Sequence, residues 1–273
     1  MIERIKLGEV ITDIAAGPFG SNLKVSCFVD DGFPIVDGAN LKGYKLTDNI
    51  TKFVTEEKAR SLQRSIAKRN DIVVTISGTV GQISYIPMDS KYEEYLCSQR
   101  QFRATLDTER VYVPYLVFYF HTHEGQHKIL SFANQTGVPA LAQPLKNFRL
   151  IDFDLPDLRT QQRIAGIIET LNSRIETNER INDNLLQQTQ AIFDTYYESA
   201  EERRPLTDLI RVMSGGTPKT GIAEFWNGNI PFFTPKDVGA PYTFQTEKTI
   251  TDWLARPSTQ FLCTFMPSER SAH

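Results

Sequence analysis

A chain of 273 residues, 40% of them apolar and 23% charged, has room for one or two globular domains and no bias toward disorder. It has no apolar run of membrane-spanning length and no apolar signal core after Met1, and its three scattered cysteines, Cys27, Cys97 and Cys263, lack metal-ligand spacing. That usage suits a reducing cytoplasm, and the formal net charge of -3 argues against a chain that grips nucleic acid strongly without a basic partner.

Residues 1–154 alternate short apolar runs with Gly, Asp and Asn turns. Phe33-Pro34-Ile35-Val36, Asp71-Ile72-Val73-Val74-Thr75-Ile76 and Phe148-Arg149-Leu150-Ile151 read as strands, being apolar and rich in β-branched residues. Thr55 followed by Glu56-Glu57 predicts a helix start, since a threonine hydroxyl caps free backbone N–H groups and acids favour the first turn. Pro114 predicts another, running through Tyr115-Leu116-Val117-Phe118. Together these describe an α+β globule. On the first helix Arg60, Arg64 and Lys68 would fall four apart, a basic stripe that is either solvated or able to follow phosphates.

Residues 160–198 contain no proline and a single glycine, Gly166. Ile164, Ile168, Leu171, Ile175, Asn178, Asn182, Leu185 and Ile192 recur in alternating steps of four and three with Thr189 and Tyr196, the spacing of a coiled-coil seam. Such a rod would be about 58 Å long. Polar residues in a seam weaken pairing but select its register.

A repeat begins after the helix. Leu7-Gly8-Glu9-Val10-Ile11 is echoed by Leu206-Thr207-Asp208-Leu209-Ile210, Gly17 by Gly216, Pro34-Ile35-Val36 by Pro231-Phe232-Phe233, and Val54-Thr55-Glu56 by Ile250-Thr251-Asp252, in the same order and at nearly constant separation. After Arg256 the echo stops, and Pro257 stands where the repeated helix would continue. The expected organisation is a first domain at 1–154, a long helix able to pair at 155–204, a truncated second copy at 205–255 and an aberrant tail at 256–273.

This plan resembles the specificity subunits of type I restriction–modification systems. Gly17-Pro18-Phe19-Gly20-Ser21 and Gly215-Gly216-Thr217-Pro218 look like that family's glycine-containing opening loop, and Pro231-Phe232-Phe233-Thr234-Pro235-Lys236-Asp237 like its Pro-Trp-Val strand. Asp71 to Gly81 resembles its strand-and-hairpin motif, with Asn70 in place of the usual glycine. Gln135-Thr136-Gly137 with Leu145-Lys146-Asn147-Phe148 resembles its late loop and turn, and Leu155-Pro156 through Gln161-Gln162-Arg163-Ile164-Ala165 its junction into the helix. The resemblance implies an α+β target recognition domain, a long coiled-coil-type spacer helix and the partial start of a second recognition domain. It implies a cytoplasmic, non-catalytic subunit that reads one part of a split double-stranded DNA target. Its implied partners are methyltransferase (modification) subunits, a motor–nuclease (restriction) subunit and a second copy paired through the helix. S-adenosylmethionine, ATP and Mg²⁺ would belong to those partners, with no cofactor or metal in this chain. A non-functional truncated fragment is the alternative.

Base edges are read by side chains with paired donors and acceptors, and phosphates by Lys, Arg, hydroxyls and backbone N–H groups. Three polar sets qualify: Ser77-Gly78-Thr79 with Gln82 on a hairpin tip, Gln99, Arg100 and Arg103 in the run from Ser98, and Gln135-Thr136 in the late loop. Lys24 and Lys146 are further candidates. His123-Glu124-Gly125-Gln126-His127 matches the H-E-x-x-H signature of zinc hydrolases, which needs both histidines on one helical face and a third ligand. Gly125 weakens a helix and Lys128 brings a positive charge, so a zinc metallohydrolase is the lesser alternative.

Overall fold

The computed structural model describes residues 2–134, 139–200, 204–205, 208, 216–237 and 245–252. Gln135, Thr136, the repeat opening at Leu206-Thr207 and the tail from Arg256 lie outside the described residues. Two compact units are present, Met1–Asn184 and Leu185–His273.

In the first unit, β1 (Ile2–Lys6), β2 (Ile11–Ala16), β3 (Phe28–Val29), β4 (Phe33–Val36) and β5 (Phe53–Val54) precede α1 (Glu56–Ser61). Then come β6 (Ile66–Lys68), β7 (Ile72–Thr75), β8 (Ile83–Tyr85), β9 (Glu94–Cys97) and β10 (Gln101–Leu106). Helices α2 (Val113–Phe120), α3 (His123–Leu130) and α4 (Pro144–Arg149) lead to β11 (Asp152–Pro156) and the long α5 (Leu158–Glu198), whose residues from Leu185 onward belong to the second unit. One sheet has the order β2-β10-β7-β8 and is antiparallel throughout; a second has the order β3-β5-β4-β9-β6, with β4 and β9 parallel.

The layers follow from strand alternation. Ile72 and Val74 of β7 join the cluster that holds Phe102, Leu116, Phe120 and Phe148, whereas Val73 joins Val36, Ile86, Tyr95 and Cys97. On β9, Leu96 turns to a third cluster with Ile35, Val54 and Ala59. Strands buried on both faces read as continuous apolar runs, as Ile72-Val73-Val74 does. Asn70 takes φ +71°, a left-handed backbone that asparagine tolerates and glycine adopts freely, so it can stand in for the glycine of the related motif.

The cap at Thr55 forms as expected, its hydroxyl accepting the Lys58 N–H at 3.2 Å, and Pro114 lies in the first turn of α2. Two expectations are corrected. The first helix ends at Ser61, and Lys68 lies on β6, so Arg60, Arg64 and Lys68 make no helical stripe. Residues 148–151 are the end of α4 and its exit rather than a strand, since Pro144 opens a helical turn that sets Phe148 against Phe102 and Phe120, with ring centroids 5.1 and 5.6 Å apart.

The domain closes on its own beginning: β1 pairs antiparallel with β11, from Ile2 opposite Pro156 to Lys6 opposite Asp152. Asp157 then caps α5, accepting the Thr160 N–H at 3.0 Å. Gln161, with no exposed surface, accepts the Tyr112 N–H at 2.9 Å and donates to the carbonyls of Arg110 and Pro156 at 2.9 and 2.8 Å. Beyond Asn172 every described residue of α5 is exposed, the seam positions Ile175, Leu185 and Ile192 by more than half.

In the second unit β12 (Trp226–Phe232) pairs antiparallel with β13 (Lys248–Ile250). Pro231 lies opposite Thr249, just as Pro34 lies opposite Phe53 in the first unit. The following turns also agree. Asn40 Oδ1 accepts the Asp37 N–H at 3.1 Å, and Asp237 Oδ2 accepts the Thr234 N–H at 2.7 Å. The sequence repeat is therefore also a repeat of strand register and turn capping.

Candidate nucleic-acid interface

Three connections of the first unit meet at one open cleft of about 600 Å³. The β7–β8 hairpin supplies Thr75, Ser77, Gly78, Thr79 and Gln82, and the β9–β10 turn supplies Ser98, Gln99, Arg100 and Gln101. The turn after β4 adds Asp37, Gly38 and Ala39, with Lys52 beside them. Leu23, Val25 and Phe28 form an apolar rim.

The hairpin and the β9–β10 turn are joined by backbone. The Ile76 N–H donates to Arg100 O at 2.7 Å, the Ser98 N–H to Val36 O at 2.9 Å, and the Gly78 N–H to Pro139 O at 3.0 Å. Gly78 and Gly81 take φ near +90° and +89°, which lets the hairpin tip turn where a side chain would strain it. The guanidinium of exposed Arg100 lies near Gly78, where an added Cβ would stand 3.9 Å from its Nη1. On the floor, the Thr75 hydroxyl donates to Gln82 Oε1 at 3.2 Å and the Ser98 hydroxyl donates to Gln101 Oε1. Gly38 leaves room for both amides, since a Cβ there would stand 3.3 Å from Gln82 Oε1 and 3.8 Å from Gln101 Nε2.

Asp37 and Lys52 form a pair at 2.6 Å, and the second carboxylate oxygen accepts the Ala39 N–H at 2.9 Å. Burial pushes the Asp37 carboxyl up, but the Lys52 ammonium and the Ala39 N–H outweigh it and hold the group below its ordinary range. The cleft thus offers hydroxyls, amides and a guanidinium at mixed donor and acceptor positions, with one carboxylate already neutralised. That inventory suits the edges of bases and the oxygens of phosphates.

Ser77, Gly78, Thr79, Gln82, Gln99 and Arg100, expected from two separate stretches of sequence, all line this one cleft, and exposed Lys24 stands between its rim residues Leu23 and Val25. Arg103 does not join them. It is 8% exposed, and its guanidinium donates to Asp13 at 2.6 Å, Arg64 O at 3.1 Å and Thr105 at 3.3 Å, which braces β10 against β2. That contact holds the Asp13 carboxyl below its ordinary range. Lys146 is exposed on α4, away from this cleft. Gln135 and Thr136 lie outside the described residues. The Asp37–Lys52 pair and the apolar rim were not legible in advance. The one available signal was Asp37-Gly38-Ala39-Asn40, a capping pattern that places an acid at the end of a strand.

The H-E-x-x-H run sits on α3, but Glu124 accepts from Lys128 at 2.8 Å and from the Tyr119 hydroxyl at 3.0 Å. Among the described residues no three His, Cys, Asp or Glu side chains come together as metal ligands. Gly125 serves packing. A Cβ there would meet Tyr119 O at 2.2 Å, so the glycine allows α3 to approach the end of α2.

No curated protein matches the chain. The fold is similar to that of a chain from a solved type I R-M system, described for its complex assembly and conformational transition, at 16% identity and a TM-score of 0.50 over 70% of this chain and 43% of that one. It is also similar to the type I restriction–modification S subunit from M. genitalium, at 16% identity and a TM-score of 0.51 over 92% of this chain and 62% of that one. The chain spans less than two thirds of the length of either. The family model described as the type I restriction modification DNA specificity domain matches residues 6–187, well over half of the sequence, and on that match the chain belongs to the type I restriction–modification DNA specificity family.

Proposed function

We propose that this chain is a DNA recognition subunit whose first domain reads one part of a split target and brings methyltransferase subunits to it. The observation that carries the reading is the convergence of the Ser77–Gln82 hairpin and the Ser98–Gln101 turn on a single cleft with Arg100 at its mouth. Residues far apart in sequence that present only donors and acceptors at one concavity have the chemistry of base-edge readout rather than bond making. The net charge of -3 fits a reader that depends on partners for much of its affinity. The catalytic groups, S-adenosylmethionine, ATP and Mg²⁺ belong in this reading to the modification and motor–nuclease subunits, all in the cytoplasm. Base modification in a duplex requires the base to be flipped out, and that needs a deep pocket of the kind a methyltransferase supplies. The start of a second recognition domain at 205–255 is supported by the repeated strand register and turn capping.

The test is co-expression with the modification subunit encoded beside this chain, followed by mapping of adenine methylation across the host genome. Methylation at one bipartite motif is expected, with Arg100→Gln and Gln82→Ala relaxing or weakening every part of that motif that this domain reads. If the proteins co-purify and no motif is methylated, the DNA-reading function fails while the assembly stands. If they do not co-purify, the chain is a non-functional fragment.

A further inference from the structure

The loop that follows β2 carries two large apolar side chains facing solvent, Phe19 at 82% exposure and Val25 at 81%. Isolated exposed apolar residues are ordinary on protein surfaces. These two are unusual in being held on a braced loop. The Gly17 N–H donates to Gln101 O at 2.8 Å, and the Asn22 N–H closes a turn onto Phe19 O at 2.8 Å. Gly17 is pressed so closely on the β9–β10 turn that a Cβ would stand 1.8 Å from Ser98 O, and a Cβ on Gly20 would stand 2.7 Å from Gln99 Oε1. The loop therefore rests on the same turn that presents Gln99 and Arg100.

This loop is a wall shared by two clefts. Leu23 and Val25 line the cleft already described, and Pro18, Phe19 and Asn22 line a second open cleft of about 620 Å³ together with Arg60, which is paired with Glu56 at 2.8 Å and Glu94 at 2.6 Å, and the exposed Arg64. The crest stands between clefts that carry the exposed cations Arg64 and Arg100 and the amides of Gln63, Gln82 and Gln99. It matches a duplex, whose phosphates are met by cations and whose base faces accept an apolar side chain.

We propose that Phe19, with Pro18 before it and Val25 farther along the same loop, is a wedge that enters a base step beside the base pairs read in the cleft, unstacking that step so that the bent duplex occupies both clefts. The proposal rests on the reading of the cleft as a DNA site and adds a second source of specificity. Pyrimidine–purine steps unstack at least cost, so the sequence under the wedge is selected through deformability rather than by hydrogen bonds. The matching stretch of the second copy, Gly216-Thr217-Pro218-Lys219, has no aromatic residue, so the wedge belongs to the first domain.

The experiment uses the full chain in complex with its modification subunit and duplexes of the mapped target. The duplexes carry 2-aminopurine for each adenine or pyrrolocytosine for each cytosine, one position at a time. Fluorescence is expected to rise several-fold at one step with the unaltered protein. Phe19→Ser should abolish that rise and weaken binding about tenfold with thermal unfolding unchanged, and Val25→Ser should reduce both effects in part. Arg100→Gln should weaken binding and keep the rise at saturating protein. Bound target with no rise at any position, or a rise that survives Phe19→Ser, overturns the wedge and leaves the cleft reading intact. Absence of target binding overturns both.

Discussion

The cleft is built from residues whose first duty is to hold each other. Asp37 ends β4, caps the turn that follows and neutralises Lys52. Because its folded carboxyl is held below the ordinary value, it contributes stability above the unfolded pKa of about 3.9, and that contribution is lost as pH falls through the folded value. Asp37→Asn should therefore flatten the loss of thermal stability between about pH 5 and pH 3 relative to the unaltered chain. Parallel melting curves across that range would mean that the Lys52 pair contributes nothing. Arg103 makes the complementary point. An arginine two residues from a glutamine that faces the cleft looks like a reader in sequence, yet acceptors from β2, from the turn before β6 and from β10 itself hold each of its three nitrogens. A local pattern gives the chemistry of a side chain, and only the fold decides whether that chemistry is spent internally. Ser77, Thr79, Gln99 and Arg100 were legible because hairpin tips and tight turns face outward by construction.

At the scale of elements, the long helix was legible almost to its ends, because a seam spacing kept up over this length has no other regular conformation to occupy. The short α4 was not, since six residues give no periodicity and Phe148-Arg149-Leu150-Ile151 has strand composition. The β1–β11 pairing, which joins the two ends of the domain, has no local trace at all. The joint between domain and helix depends on Gln161. Its amide answers one N–H and two carbonyls, from the end of β11 and from the segment before α2, where no water reaches. Gln161→Leu keeps the volume and leaves all three groups unpartnered, at a cost of about 3 kcal/mol. A fall in unfolding free energy of that order, measured by denaturant titration, is expected. Exchange of the Tyr112 amide proton should quicken as well, and an unchanged exchange rate would show that the joint is held elsewhere.

At the scale of the molecule, the register and turn capping of β4 and β5 recur in β12 and β13, and between them in the chain the apolar stripe of α5 faces solvent from Leu171 to Ile192. Leu171, Ile175, Leu185 and Ile192 are each more than half exposed, an arrangement that a coiled-coil partner would bury. A second copy of this chain is expected to supply that partner. Antiparallel pairing about a two-fold axis would bring Asn178 and Asn182, near the middle of α5, opposite their counterparts, where two facing amides fix register at some loss of affinity. Sedimentation at micromolar concentration should then show a dimer, and Ile175→Asp with Leu185→Asp should raise its dissociation constant more than tenfold, about 1.4 kcal/mol or more. Asn178→Leu with Asn182→Leu should tighten association and broaden the distribution of oligomers. The mapped methylation motif gives an independent reading of the same question, because two identical domains related by a two-fold axis specify a palindromic split target. A chain that sediments as a monomer both alone and with its modification subunit, and that directs methylation to an asymmetric motif, would show that the stripe is covered by that subunit instead.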